Sequence, residues 1–152
     1  MCIRDRLGAE IAVAFDGDGQ HDAQDVQNLI KKIAEGYDVV LGTRMKDSRG
    51  MPFVKQVANI IGNMVTWMLF GILVSDSQSG LRVFSRKALD LIDTKGDRYT
   101  YETEVLKEIA RNKLSVCEVP IRVIYTKHSQ SKAVRQGFVT GLKTLVRLII
   151  SI

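Results

Sequence analysis

The stretch IAVAFDGDGQHD, residues 11–22, decides how this chain is read. Its opening is short and apolar and runs into a glycine-rich turn, which predicts a buried strand over Glu10–Phe15. Three acids, Asp16, Asp18 and Asp22, then fall within eight residues. Like charges this close repel, and a packed core has no use for them, so the turn is expected to hold something positive. Asp22 has the position of a helix N-cap, and Asp25 suits the first turn of the helix dipole. Val26, Leu29, Ile30 and Ile33 form an apolar stripe, and Gly36 stops the helix. DVVLG, residues 38–42, reads as a second buried strand. Strand, helix and strand in this order make a βαβ unit, so a parallel sheet is expected. Ligands in such sheets bind at the carboxyl ends of strands, where FDGDG and LGTR (residues 41–44) both lie.

The pattern continues outward. KDSRG, residues 46–50, reads as a polar loop. A long apolar helix is predicted from Pro52 to Phe70, with Val54, Val57, Ile61, Met64 and Met68 on one face. Asn59, Asn63 and Thr66 make a thin polar stripe on it. A loop over Val74–Arg82 leads to a short strand at Leu81–Phe84 and a short helix at Arg86–Ile92. Another helix has its core at Thr103–Arg111, extending back to Tyr101. SVCEVPIRVIY, residues 115–125, is strand-like and broken at Pro120. A last amphipathic helix is expected over residues 135–152. Its apolar part, Phe138–Ile152, is about 22 Å long, too short for a hydrocarbon core of ~30 Å. It suits either a membrane interface or the domain's own core.

Composition bounds the class. The chain has 152 residues, 45% hydrophobic and 26% charged, which is ordinary for a globular domain. Cys2 and Cys117 lie far apart and form no zinc or disulfide pattern. The first ten residues contain no apolar signal-peptide core. Charge is uneven: after Glu118 there are six basic residues and no acid. That segment favours anions such as phosphates or an anionic membrane surface. Nucleic acid is disfavoured, because aromatic residues are not interleaved with the basic ones.

Carboxylates at positions i and i+2 around a glycine can reach one point, and hard oxygen donors suit Mg²⁺ or Mn²⁺. An EF-hand loop would need glycine at 21 and glutamate at 27, where the chain has His21 and Gln27. A dinucleotide fingerprint would need a third glycine, and Asp16 and Asp18 would repel its pyrophosphate. Strand followed by D-x-D therefore reads as a metal–diphosphate site, with a plain Asx-type turn as the bland alternative.

Five segments in order, DGDGQHD, LGTR, DSQSGLRVFSRKAL, YETEVL and EVPIRVIY, resemble family 2 glycosyltransferases of the GT-A fold. The subgroup they most resemble is the dolichyl-phosphate mannose synthase-like enzymes. The resemblance implies an α/β fold, a partial GT-A (nucleotide-diphospho-sugar transferase) domain. That fold has a mostly parallel sheet flanked by helices, here followed by the amphipathic C-terminal helix. It implies metal-dependent, inverting transfer of a sugar from a nucleotide diphosphate, GDP-mannose or a UDP-hexose, to a polyprenyl phosphate. Asp16 and Asp18 match the metal-holding pair, and Gln20 and Arg44 lie beside the donor. Asp76, Ser79, Gly80 and Arg82 match the D-x-x-S-G-x-R loop at the reaction centre, with Asp76, Arg82 and Arg44 as catalytic candidates. Lys55, Ser79, Arg82, Lys127, Ser131 and Lys132 fall on the acceptor side.

Each residue also has a structural role open to it. Arg44 could pair with Asp38 or Asp47, and Asp76 could cap a turn. Gly80 could permit a positive-φ turn. Arg82 could bridge to a neighbouring acid. Asp76 carries a chemical alternative too, since a hydroxyl acceptor needs a carboxylate base and an anionic phosphate acceptor does not.

Residues 1–7 do not continue the family pattern and are expected to be non-native or disordered. Residues 8–134 are expected to be the partial catalytic domain, without its first strands. The parent is then a glycosyltransferase at the cytoplasmic face of a membrane, and this piece by itself inactive. Two alternatives stay open: a non-catalytic module binding polyprenyl phosphate or anionic membrane, and a nucleotidyltransferase of similar fold.

Overall fold

The computed structural model describes residues 8–17, 21–44, 53–77, 79–94 and 101–122, the side chains of residues 53–55 and 58 excepted. The expected segments 1–7, 46–50 and 135–152 lie outside these residues. The elements are β1 (Ile11–Ala14), α1 (Ala23–Ala34), β2 (Val39–Thr43), α2 (Phe53–Phe70), β3 (Arg82–Ser85), α3 (Arg86–Leu91), α4 (Tyr101–Arg111) and β4 (Val116–Pro120).

Local signals act where they were read. The Asp22 carboxylate accepts the Gln24 N–H at 2.9 Å and caps α1. Gly36, at φ 103°, ends the same helix. β4 ends at Pro120 on the edge of the described sheet, and the Ile121 N–H just beyond it still donates to the Thr43 carbonyl at 3.0 Å.

The four strands lie in the order β1-β3-β2-β4. β1, β2 and β4 run in one direction, with β2 and β4 paired in parallel. β3 runs against them and sits between β1 and β2, antiparallel to both. The α/β class with helices flanking a sheet therefore holds, and most strands share a direction. The parallel sheet expected from the βαβ unit holds in the pairing of β2 with β4, while β3 separates β1 from β2 and is antiparallel to both. A βαβ unit sets the direction of its two strands but leaves room for a later strand to enter between them.

Side chains alternate across the sheet and build a core on each face. Val39, Leu41 and Phe84 point to one side, where they meet Ala88 and Leu89 of α3 and Val105, Leu106 and Ile109 of α4. Val40 and Val83 point to the other side and meet Leu29 of α1, Leu81 and Ile121. Burying a side chain of this size stabilises by roughly 1.5–3 kcal/mol, so both faces matter to the fold.

Helix α2 is turned inside out. Its buried residues among those described are polar, Asn59 and Thr66, at 3% and 6% exposure. Its outward side carries Ile60, Ile61, Met64, Trp67 and Met68, the last 70% exposed. A helix packed on a core normally shows the reverse. No helix among the described residues is long and apolar enough to cross a membrane.

Candidate active site

β1, β2 and β4 finish, and β3 starts, along one edge of the sheet. Alternation places Thr43, Arg82 and Glu118 on the same face as Leu41 and Phe84. The loop joining α2 to β3 meets all three of these side chains.

Asp76 is its centre, 1% exposed. One carboxylate oxygen accepts the Arg44 backbone N–H at 3.1 Å and Nε–H at 2.6 Å. The other accepts Arg44 Nη2 at 2.8 Å and Asn59 Nδ2 at 3.0 Å. The two-pronged contact fixes the guanidinium plane. The Arg44 side chain stays 24% exposed, so the pair sits at the wall of the site. Asp38 and Asp47 were the surface partners considered for Arg44. Asp38 instead accepts from Lys87 and Ser115, and Asp47 lies outside the described residues.

The loop on either side of Asp76 is held just as closely. Asn63 Nδ2 donates to the Ser75 carbonyl at 2.6 Å, and Asn63 Oδ1 accepts the Ser77 N–H at 2.9 Å. Ser75 donates its N–H and its hydroxyl to the two oxygens of Glu118, at 2.7 and 2.9 Å. With that hydroxyl proton committed, Thr43 is the donor in the 2.8 Å contact between Thr43 Oγ1 and Ser75 Oγ.

Arg82, 2% exposed, spans the loop from beneath. Its guanidinium donates to the carbonyls of Ser79, Glu102 and Ser77 at 3.0, 3.0 and 2.9 Å. Among the described residues these bonds go to main chain, in place of the acidic side chain expected as its structural partner. Burial pulls its pKa below the ordinary arginine value, while the charges of Glu102, Asp76 and Asp16 push back. The guanidinium remains charged, since arginine starts so high.

Continuing the β1–β3 register past Ala14 and Arg82 sets Asp16 opposite Gly80. A Cβ at Gly80 would fall on the Asp16 carboxylate. Gly80 is required for space; its φ lies outside the left-handed region, which corrects the expected positive-φ role. Asp16 is exposed at the strand end, a hard oxygen donor facing outward. It suits a divalent cation chemically. Among the described residues no three metal-ligating side chains gather.

The structure thus brings Asp16, Arg44, Asp76, Ser79 and Arg82 to one sheet edge. Asp18, Gln20, Lys127, Ser131 and Lys132 lie outside the described residues. Lys55 is on α2, its side chain likewise outside. Sequence reasoning missed Asn59, Asn63, Thr43, Ser75 and Glu118 as site residues. The two amides spaced i, i+4 in an apolar helix were a usable signal. A separate cleft of about 560 Å³ lies beside the first turn of α1, facing Pro120–Arg122, and not at Asp76.

The model of the family described as "Glycosyl transferase family 2" matches residues 6–92, more than half the chain and the whole Asp16–Arg82 arrangement. The chain belongs to glycosyl transferase family 2. The four-stranded sheet of the described residues, with its flanking helices, is that of a partial GT-A domain. The chain is 40% identical over 149 residues to a UDP-N-acetylglucosamine–dolichyl-phosphate N-acetylglucosaminyltransferase of Methanococcus voltae, covering 94% of this chain and 59% of that protein. It is 28% identical over 124 residues to a polyprenol monophosphomannose synthase of Mycolicibacterium smegmatis, covering 76% and 46%. An undecaprenyl-phosphate mannosyltransferase of Micrococcus luteus is 25% identical over 133 residues, covering 82% and 54%. The chain thus spans about three fifths or less of the length of these family 2 relatives. Family 2 transferases generally use a divalent cation.

Proposed function

We propose that this chain supplies the metal and phosphate side of a transferase moving a sugar from a nucleotide diphosphate to a polyprenyl phosphate. The observation that carries this reading is the state of Asp76. Both of its oxygens already accept N–H donors, four in all. With two donors on each oxygen, the carboxylate has no lone pair left facing an attacking hydroxyl. An acceptor phosphate needs no such base, because its oxygen is already anionic. The relatives' names, which specify dolichyl, polyprenol and undecaprenyl-phosphate chemistry, support the same choice.

In this reading Asp16 and Asp18 hold Mg²⁺ or Mn²⁺, which when bound offsets charge on the departing diphosphate. Gln20 lies beside the donor. Arg44, oriented by Asp76, turns its outer edge to a donor phosphate oxygen. Ser79, expected on the acceptor side, is 1% exposed and lends its carbonyl to Arg82. Lys55, Lys127, Ser131 and Lys132 bring the acceptor's anionic head to the sugar. Arg82 keeps the loop in register. The outward apolar side of α2 rests on the lipid surface that carries the acceptor, at the cytoplasmic face of the membrane.

The test compares acceptors for the full-length protein with UDP- or GDP-sugar. Transfer to a polyprenyl phosphate with none to the matching polyprenol is expected. Transfer to the free alcohol at a comparable rate overturns the reading.

A further inference from the structure

Asn59 and Asn63 stand one helical turn apart on the inward side of α2, so both face the same loop. Asn59 touches the Asp76 carboxylate itself. Asn63 holds the main chain on both sides of Asp76, accepting from one residue and donating to the other as a neighbouring strand would. Beyond Lys55, Gln56 and Thr66 the rest of the helix is apolar, with an outward side left bare, and these two amides make hydrogen bonds from it to the Asp76 loop. Asn59 is 3% exposed; its Nδ2 is bonded to Asp76 while its Oδ1 is buried without a partner among the described residues, so the contact with Asp76 is what offsets the burial of this amide.

We propose that Asn59 and Asn63 are positioning residues for the transfer, acting through Asp76 to aim the Arg44 guanidinium. The inference rests on the reading of Arg44 as a donor-phosphate contact. Its chain of contacts is continuous: Asn59 to the Asp76 carboxylate and Asn63 to the main chain of Ser75 and Ser77, then Asp76 to both Nε and Nη2 of Arg44. Release of Asn63 frees residues 75–77 to shift, and the guanidinium moves with them. A displacement near 1 Å at a group that stabilises developing charge lowers turnover by roughly a hundredfold.

The experiment is a mutant cycle in the full-length enzyme, read as kcat and donor KM with a polyprenyl phosphate acceptor. Asn63→Ala should lower kcat ten- to hundredfold. In an Arg44→Gln/Asp76→Asn background, which removes both charges together, the same change should lower kcat less than twofold further. Equal losses in the two backgrounds mean that Asn63 merely supports the fold, and overturn the proposal. So does an unchanged kcat in the single variant. If the background itself transfers at the parental rate, the donor role of Arg44 fails and the inference falls with it. Should Asn63→Ala not fold, Asn63→Asp keeps the acceptor for the Ser77 N–H, loses the donor to Ser75, and takes its place with the same outcomes.

Discussion

At the scale of single residues, Gly80 carries the tightest constraint. Its missing side chain is the space the Asp16 carboxylate occupies. Gly80→Ala should push Asp16 aside while leaving both cores intact. The expected result is at least a tenfold rise in the divalent-ion concentration giving half-maximal transfer, equivalent to about 1.4 kcal/mol. Titration of activity with Mn²⁺ or Mg²⁺ checks it, and an unchanged midpoint removes Asp16 from the metal site. Asp16, Gly80, Asp76 and Arg82 were legible because each sits in a short local pattern. Glu118 and Asn63 were not, because they meet Ser75 across 43 and 12 positions of chain. Nothing next to SVCEVP says which main-chain N–H its single acid will meet.

At the scale of elements, each described helix and strand was legible in position, because apolar spacing and caps are local. The orientation of α2 was not. Its polar stripe was visible, but only the contacts with Ser75, Asp76 and Ser77 show that the stripe faces inward. The end of α4 offers a separate prediction. Lys113 takes φ 51° just past the helix, with Leu114 N–H donating to the Ile109 carbonyl at 3.1 Å. That is the left-handed closing position glycine favours. Lys113→Gly should raise stability by about 0.5–1 kcal/mol, since a side chain costs ~1–2 kcal/mol there and glycine's greater unfolded freedom offsets part of the gain. Urea unfolding measures it, and a loss of stability refutes the assignment.

At the scale of the whole molecule, Asp38 joins distant parts of the chain. It accepts the Ser115 N–H and hydroxyl, each at 2.9 Å, and Lys87 Nζ at 3.0 Å. Burial alone would raise its pKa, but these donors together hold it below the ordinary carboxylate value. A depressed folded value means the contribution is complete above about pH 4 and fades as pH falls through that folded value. Asp38→Asn should therefore flatten the acid limb of a urea-midpoint profile taken from pH 7 to pH 3. Parallel limbs for both proteins would argue that other carboxylates govern acid unfolding. Sheet order was the least legible feature at this scale, since RVFS reads as a strand without stating which neighbours it will divide. That order has a consequence for synthesis. In the described sheet β1 pairs with β3 alone, and β3 is made only after β1, α1, β2 and α2. At roughly 5–20 residues per second, the ribosome leaves Ile11–Ala14 waiting several seconds for Arg82–Ser85. Through that interval the β1–β3 ladder of the described sheet cannot close, so it completes only after β2 and α2 have been made.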